Sequence, residues 1–294
     1  MPSDSLVSVV IASYNMGHYL ATALRSALEQ TYRDIEVIVI DDGSTDDTGD
    51  VVKPFLADAR LRYIHQANAG QAHAKNRGIH EARGEFVAFL DADDVWLPTK
   101  LERQMPLFQE EAVGVVFCRS VEIDAQGAEL RLLDFPLYRG AVSGDLLVFN
   151  FIGFSTSVVR RRCFERQGGF REDLGMGIDY ELWLRLSAHY RFDFVDAPLV
   201  RYRIWAGQMS KNFERRYLNG IRIMEDFLAA CPDVVEESVK RHAWAYTYTG
   251  FADSLSGTEG GSKAAFSHYL RALGYRPTYV PAWKGVVRLL LGTW

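Results

Sequence analysis

A short apolar stretch that ends in three carboxylates constrains this chain more than any other feature. Residues 86–90 read Phe-Val-Ala-Phe-Leu, which is typical of a strand buried on both faces. Asp91, Asp93 and Asp94 follow almost at once. Because burying an unpaired carboxylate is costly, the acids should lie just past the strand, at the edge of a sheet. Open α/β sheets bind their ligands at that edge.

The Asp-Ala-Asp spacing predicts a site for a hard divalent cation. Asp91 and Asp93 are close enough in sequence to share one ion, and carboxylate oxygens suit Mg²⁺ or Mn²⁺. Short acidic motifs are common, so a solvated acidic turn after a core strand stays open as the alternative.

Three apolar runs followed by polar loops predict a parallel sheet. The runs cover residues 6–12, 36–40 and 86–90, with helical patterns between them. Strands and helices that alternate at this spacing form right-handed βαβ units. The three loops then leave the same edge of the sheet, which favours the cation site over the acidic turn. The sequence has no Gly-x-Gly-x-x-Gly after the first strand and no Walker-type phosphate loop.

The sequence pattern changes near residue 210, where we place a domain boundary. Before it, further strands are predicted at 61–65, 114–118, 155–160 and 192–195, further helices at 71–82, 98–111 and 179–189, and irregular structure at 119–150. After it, amphipathic segments predict helices at 213–230, 234–256, 262–274 and 279–291.

Composition and charge exclude several classes of protein. Hydrophobic residues make up 48% of the 294 residues and charged residues 24%, as in ordinary globular proteins. A net charge of −5 argues against a nucleic-acid binder. The three cysteines lie far apart, which indicates neither a disulfide framework nor a zinc site and suggests a reducing compartment. With no secretory signal and no apolar run of about 18 residues, we expect a cytoplasmic protein.

An ordered set of motifs resembles the family 2 glycosyltransferases. The motifs lie at residues 9–15, 41–46, 68–70, 76–78, 89–94, 168–170, 179–185 and 202–210. The resemblance implies an α/β fold of the GT-A type, a Rossmann-like and mostly parallel sheet flanked by helices, followed here by an α-helical C-terminal tail. Residues 1–210 would form the GT-A domain, with a nucleotide-sugar half of about 1–112 and an acceptor half of about 113–210. Residues 211–294 would form the helical extension.

The resemblance implies a nucleotide-sugar donor with a pyrimidine base. Tyr14 would lie against the base, and Asp42 would accept a hydrogen bond from the N3–H of uracil or thymine, which favours UDP or dTDP. Ala12 belongs to the same nucleotide-binding set. The alternatives are a loop-capping role for Tyr14 and a charge at the start of the next helix for Asp42.

The resemblance also assigns roles around the phosphates. Asp91 would hold the ribose or help to bind the metal, and Asp93 would ligate a Mn²⁺ or Mg²⁺ ion that bridges the two phosphates. Asp94 would lie behind them and support the metal ligands. Lys75 stands where the family often has arginine and could reach a phosphate, or it could lie on a solvated helix face.

Asp179 occupies the position of the family's catalytic base. Family members that resemble this chain invert the anomeric centre in one displacement, in which a carboxylate takes the proton of the acceptor hydroxyl. A helix-terminal acid or cap is the structural alternative. The chain departs from the family at Ile178, where glutamate is common, and at Trp205, where histidine is common. We expect Trp205 to contact the acceptor.

A flexible lid is expected directly after Trp205. The resemblance places Gln208 and Ser210 in this segment, which would exclude water from the hydrolysable donor.

The implied function is a metal-dependent inverting glycosyltransferase in cell-surface polysaccharide synthesis. Its acceptor would be a hydroxyl of a glycan or lipid-linked glycan. Two alternatives are a haloacid-dehalogenase-like phosphohydrolase, whose acidic motif however follows the first strand rather than the fourth, and a nucleotide-sugar-binding protein without turnover. The apolar segment 280–294, with Lys284 and Arg288, could rest as a peripheral contact on the cytoplasmic face of a membrane. Packing within the tail or in a homo-oligomer is the alternative.

Overall fold

A computed structural model describes residues 5–208, 212–258 and 260–291. The chain divides into two compact units, one of Met1–Val142 with Phe151–Gly207 and the other of Ser143–Asn150 with Gln208–Trp294. All strands of the described residues belong to the first unit, whereas the described elements of the second unit are helices. The domain boundaries predicted from the sequence stay a prediction.

Strands and helices alternate through the first unit, as the sequence predicts. The strands are β1 (Val7–Ser13), β2 (Ile35–Asp41), β3 (Leu61–His65), β4 (Phe86–Phe89), β5 (Val95–Trp96), β6 (Val113–Ile123), β7 (Glu129–Leu132), β8 (Val158–Arg160) and β9 (Arg191–Arg203). The helices are α1 (Gly17–Leu28), α2 (Thr48–Val52), α3 (Gln71–Glu81), α4 (Lys100–Gln104), α5 (Ser143–Val148), α6 (Arg161–Gln167), α7 (Ile178–Ser187), α8 (Phe213–Ala230), α9 (Glu237–Ser256), α10 (Ser262–Tyr275) and α11 (Val280–Leu291). Helix α5 and helices α8–α11 belong to the second unit.

The strands form one sheet in the order β3-β2-β1-β4-β8-β6-β9-β5, with β7 paired to β6. Strands β3, β2, β1 and β4 are parallel to each other, and β6 is parallel to β9. The remaining pairings are short and antiparallel. The predicted α/β fold, a mostly parallel sheet flanked by helices, is therefore confirmed. Because β1, β2 and β4 are parallel, the loops that follow them leave one edge of the sheet.

The core of the first unit follows from the apolar runs. Every residue of β2 and of β4 is buried, and β1 is buried except at Ala12. Helix α3 packs closely on β1, because a Cβ added at Gly78 would lie 2.2 Å from the Cγ1 of Val10. Position 78 therefore requires a residue without a side chain.

Two strands are longer than the sequence pattern predicts. Strand β6 continues beyond residue 118 into the region predicted to be irregular, and β9 continues through Pro198. The two strands pair in parallel, with irregular register between Cys118 and Ser120. Pro198 lies opposite Arg119 at this irregularity, where a missing N–H group is tolerated. Conversely, the predicted helix 98–111 is only α4 followed by a 3₁₀ turn, Met105–Gln109.

The second unit is built from helices at the predicted positions. Helix α9 packs on α5, α8, α10 and α11. Helices α10 and α11 lie close together at Gly285, where an added Cβ would be 2.2 Å from ring carbons of Tyr269. Across the described residues, every helix is too short or too polar to span a bilayer.

Candidate active site

Asn15 joins the loop after β1 to the loop after β2. Its φ of 54° is in the left-handed region, which asparagine tolerates better than most residues. The Oδ1 atom accepts hydrogen bonds from the backbone N–H of Thr45 at 2.8 Å and of Asp46 at 3.3 Å. The backbone N–H of Asn15 in turn donates to Ser44 Oγ at 2.9 Å. The two loops thus form one surface. The sequence motif at residues 9–15 includes Asn15, but the sequence alone does not reveal this role.

Asp42 holds the loop between β3 and α3 in place. Its Oδ1 accepts from Gln66 Nε2 at 2.8 Å and from the N–H of Ala69 at 2.9 Å, and its Oδ2 accepts from the N–H of Gly70 at 2.8 Å. The carboxylate is buried. The alternative role, a charge at the start of the next helix, does not apply to α2. It does apply to α3, because Gly70, whose N–H bonds Asp42, is the N-cap of that helix. The role of Asp42 in reading the base stays a prediction.

Tyr14 and Ala12 lie at the end of β1, beside these loops. The Tyr14 side chain is 48% exposed, so its ring is open to a ligand. Ala12 is half-buried and stands opposite Ile40 in the sheet register. Their roles in nucleotide binding stay predictions.

Lys75 contacts the acidic loop after β4. Its Nζ lies 2.8 Å from Asp91 Oδ1 and 3.3 Å from the centre of the Phe154 ring. The Lys75 side chain is only 5% exposed, whereas that of Asp91 is 31% exposed. The alternative of a solvated helix face is therefore wrong, and a positive charge stands at the sheet edge.

Asp93 is held from the end of β9. The indole Nε1 of Trp205 donates to Asp93 Oδ2 at 2.8 Å, and Arg203 Nε donates to the Asp93 carbonyl at 2.8 Å. Burial and the nearby charge of Asp91 raise the pKa of Asp93, and the bond from Trp205 opposes part of that rise. Trp205 thus contacts the predicted metal ligand, while its predicted contact with the acceptor stays a prediction.

Asp94 is buried beneath the loop. Its Oδ2 accepts from Ser155 Oγ at 2.6 Å, and its Oδ1 accepts from the N–H of Arg203 at 2.9 Å. Burial, followed by the charges of Asp93 and Asp91, raises the pKa of Asp94 well above its usual value. These contacts agree with a supporting role for Asp94.

The acidic loop fits a divalent cation. One oxygen of Asp91 accepts a hydrogen bond from Lys75, one oxygen of Asp93 accepts one from Trp205, and the charge of Asp91 raises the pKa of Asp93. Within residues 5–208, 212–258 and 260–291, no group of three or more His, Cys, Asp or Glu side chains is arranged to hold an ion. A cation here would therefore take one or two carboxylates and complete its shell with phosphate and water, as Mg²⁺ commonly does.

Asp179 lies in the first turn of α7, which begins directly after Gly177, whose φ is 78°. Gly177 is the N-cap, so Asp179 is an acid of the first turn and not the cap itself. One turn later on the same helix face, the Trp183 ring centre lies 6.3 Å from that of Phe154. The ring of Phe154 also contacts Lys75, so this face of α7 is directed toward the residues that support the acidic loop.

Glu181 and Arg185 hold α7 in place. Arg185 Nε donates to Glu181 Oε1 at 2.8 Å, and Arg185 also donates to the carbonyl of Gly169 at 2.7 Å. These contacts give Arg185 a structural role. Glu181 is buried in this ion pair and does not share an exposed surface with Asp179.

The predicted lid is described only at its start. A Cβ added at Gly207 would lie 2.2 Å from the Trp205 ring, so this glycine lets the chain turn closely against the indole. Gln208 is half-buried, and Ser210 lies outside the described residues. The lid role of both stays a prediction.

The family of the chain can now be stated. The model of the family described as "Glycosyl transferase family 2" matches residues 8–168, more than half of the 294 residues. The chain belongs to glycosyl transferase family 2. It is a transferase enzyme, and this result gives no support to the phosphohydrolase alternative.

Similar proteins agree with this assignment. An uncharacterized glycosyltransferase of Rickettsia bellii is 30% identical over 218 residues, which are 74% of this chain and 31% of that protein. The chain spans about a third of the length of the first curated relatives it matches. Among solved structures, S. aureus TarS 1-349 in complex with UDP-GlcNAc has a TM-score of 0.65 at 18% identity, covering 98% of this chain and 93% of that one. The mannosyltransferase PcManGT from Pyrobaculum calidifontis, in complex with GDP-Man and Mn²⁺, has a TM-score of 0.60 at 18% identity, covering 99% and 88%. These similarities show the fold.

In this transferase the structure brings several predicted residues together around the loop after β4. Lys75 contacts Asp91 and Trp205 contacts Asp93, while Tyr14 and Asp42 lie in the loops after the parallel strands β1 and β2. Sequence reasoning missed the role of Arg203, which contacts both Asp93 and Asp94. Local sequence gives no signal of this contact, because Arg203 lies 110 residues from Asp93.

Proposed function

We propose that this transferase moves a sugar from UDP or dTDP to a hydroxyl of a glycan or lipid-linked glycan, with inversion and with Mn²⁺ or Mg²⁺, in cell-surface polysaccharide synthesis. The arrangement of the loop after β4 supports this proposal most strongly. Asp91 accepts a hydrogen bond from Lys75 and Asp93 accepts one from Trp205, and the charge of Asp91 raises the pKa of Asp93, a repulsion that a cation would relieve. A diphosphate brought by the donor would complete the shell of that cation.

The pyrimidine base is proposed from the chain's own residues. The two similar structures were solved with a uracil and a guanine nucleotide sugar, so fold alone does not select the base. The half-exposed ring of Tyr14 offers a flat surface for stacking. Each carboxylate oxygen can accept two hydrogen bonds, and Asp42 Oδ2 is bonded by Gly70, which leaves this oxygen capacity for an N3–H group.

The reaction needs one proton acceptor and a stabilised leaving group. The acceptor oxygen forms a bond to C1 of the sugar while the bond from C1 to the diphosphate oxygen breaks, and the hydroxyl proton passes to the Asp179 carboxylate. A bound cation would supply positive charge to the leaving diphosphate. Lys75, buried beside Asp91, adds a fixed positive charge at the same edge.

The metal role is tested with Asp93→Asn. The variant keeps the size of the side chain but removes its charge, so we expect Mn²⁺ affinity, measured by electron paramagnetic resonance without donor, to fall at least about tenfold. Asp50→Asn is the matched control, because the Asp50 side chain is 74% exposed on α2. Unchanged Mn²⁺ affinity in Asp93→Asn would show that the ion is bound elsewhere.

The base role is tested with Asp179→Asn. We expect transfer to fall by about 10³-fold or more while donor binding, measured by calorimetry, changes little, because the base acts on the acceptor. Transfer that survives in this variant would mean that another group takes the proton. The anomeric configuration of the product, read by nuclear magnetic resonance, tests inversion separately.

The donor is tested with a panel of nucleotide sugars. Since a ligand that binds the folded state raises its apparent stability, UDP- or dTDP-sugars with Mn²⁺ should raise the unfolding temperature more than GDP-sugars do. A larger rise with GDP-sugars would overturn the proposed pyrimidine preference.

A further inference from the structure

Helix α11 carries apolar residues on two opposite sides. One side is buried in the helical unit through Ala282, Gly285 and Val286. The large apolar side chains of the other side are between 49% and 74% exposed: Val280, Trp283, Val287 and Leu290. Their spacing of three and four residues places them in one stripe along the helix. A continuous exposed apolar stripe of this kind marks a surface that binds something apolar.

The Trp283 side chain can be buried in an apolar environment without losing a hydrogen bond. Its Nε1 donates to the carbonyl of Pro277 at 2.8 Å, while 51% of the residue remains exposed. The only polar group of the side chain is thus satisfied within the chain. Burying the exposed part of the ring would leave no donor without a partner.

The surrounding charge is strongly positive. Residues 260–294 contain no Asp or Glu, and their basic residues are Lys263, Arg271, Arg276, Lys284 and Arg288, a local charge of +5 in a chain of net charge −5. All five basic residues are exposed. Asp253 on α9 offsets part of this charge, because its Oδ1 lies 3.5 Å from Arg288. Lys284 stands beside the apolar stripe on the same helix.

We infer that the exposed face of α11 binds the surface of an anionic lipid bilayer. An apolar stripe of Trp, Val and Leu flanked by Lys and Arg is the arrangement of helices that lie in the plane of such a surface. Charge complementarity selects the occupant: a second copy docked by a two-fold axis would set two positive regions against each other, whereas anionic headgroups attract both. The helix lies on the bilayer and does not cross it, since it has only 12 residues.

The test is vesicle flotation with the full chain. We expect binding to phosphatidylcholine vesicles that contain about one third phosphatidylglycerol, and weak binding to phosphatidylcholine alone. Binding should fall in about 1 M salt, where the Debye length is about 3 Å. Lys284→Gln should weaken binding about fivefold, and Val287→Glu at least about tenfold, because it places a charge within the apolar stripe.

Two controls keep the outcome clear. Leu130→Glu changes a leucine that is 56% exposed on β7 of the first unit, and it should bind vesicles as the unchanged chain does. Because Val287 already faces solvent, its variant should unfold at the same temperature as the unchanged chain. Equal binding to neutral and anionic vesicles, or no binding to either, would overturn the inference. So would a homo-oligomer, seen by sedimentation, that Val287→Glu dissociates while vesicle binding is unaffected.

Discussion

Two acidic stretches lie at the same edge of the sheet, Asp41 and Asp42 at the end of β2 and Asp91 to Asp94 after β4. They differ in how far the protein satisfies their carboxylates with hydrogen bonds. In the first stretch, Asp41 accepts bonds from the N–H of Ser44 and from the Tyr63 hydroxyl, and Asp42 accepts three bonds from the loop that opens α3. Both carboxylates therefore have donors on each of their two oxygens. This stretch fixes the loops around it.

The second stretch keeps charges that the protein leaves incompletely compensated. Asp93 and Asp94 have raised pKa values because they are buried near like charges. Lys100, nine residues beyond Asp91, is fully buried, and its Nζ has no hydrogen-bond partner within the described residues; it lies 4.0 Å from the centre of the Trp96 ring. The comparison teaches that hydrogen bonds from the chain satisfy the carboxylates after β2, whereas those after β4 keep a mutual repulsion that a bound cation would relieve.

The largest effect on this comparison is expected from Asp42→Ala. Three bonds to the carboxylate would be lost, and the buried N–H groups of Ala69 and Gly70 would lack a partner, so the free energy of unfolding should fall by about 3 kcal/mol. Chemical denaturation measures this change, with Asp50→Ala as an exposed control. A variant that loses donor binding but keeps full stability would break the comparison, because Asp42 would then serve the ligand alone.

A smaller effect with a defined pH dependence is expected from Lys100→Met. Burial lowers the pKa of Lys100 from 10.5 to about 8. The unfolded chain then binds more protons than the folded chain between these two values, so the stability of the unchanged protein should rise with pH in that range. Below pH 8 the buried charge costs about 3 kcal/mol, partly offset by its contact with Trp96.

Lys100→Met should therefore be more stable than the unchanged protein by about 1 to 2 kcal/mol at pH 7, and this gain should shrink toward pH 10. Thermal and chemical unfolding across this pH range measure it, with Lys53→Met as control, since the Lys53 side chain is 72% exposed. A loss of stability at pH 7 would reveal a stabilising partner for the ammonium group and would remove Lys100 from the comparison.

The smallest effect is expected from Trp205→Phe, which asks how firmly the protein positions Asp93. The variant removes the hydrogen bond from the indole N–H to Asp93 Oδ2 but keeps an aromatic ring near Tyr19. We expect Mn²⁺ affinity to fall about tenfold, with little change in unfolding. Trp205→His returns an N–H donor and should recover much of the affinity. Tighter Mn²⁺ binding in Trp205→Phe would instead mean that the indole competes with the ion for the carboxylate.

The sheet could be predicted because its central strands are almost entirely apolar. Residues 36–40 and 86–90 are buried throughout, so their sequence carries one unambiguous signal. The end of β6 could not be predicted in this way, because polar residues such as Arg119 and Glu122 occur within it. In β9, proline at position 198 indicated an end to the strand, but an irregular register accommodates it.

The sequence predicts the loops that form the candidate site, but not the contacts between residues that are far apart in the chain. The convergence of the loops after β1, β2 and β4 follows from parallel strands and was available from the sequence. The pairing of Asp93 with Trp205 joins residues 112 apart, and the burial of Lys75 depends on Phe154, which lies on a distant turn. Such contacts depend on tertiary packing, which neither spacing nor hydrophobic periodicity encodes.

Gly78 shows how far a small change could reach. Since a Cβ at this position would overlap Val10, Gly78→Ala would push α3 outward from β1. Lys75 is one turn away on the same helix, so its ammonium group would move from Asp91 and leave the loop more negative. A single methyl group, added where no ligand is expected, would thus retune the electrostatic potential that an incoming diphosphate encounters.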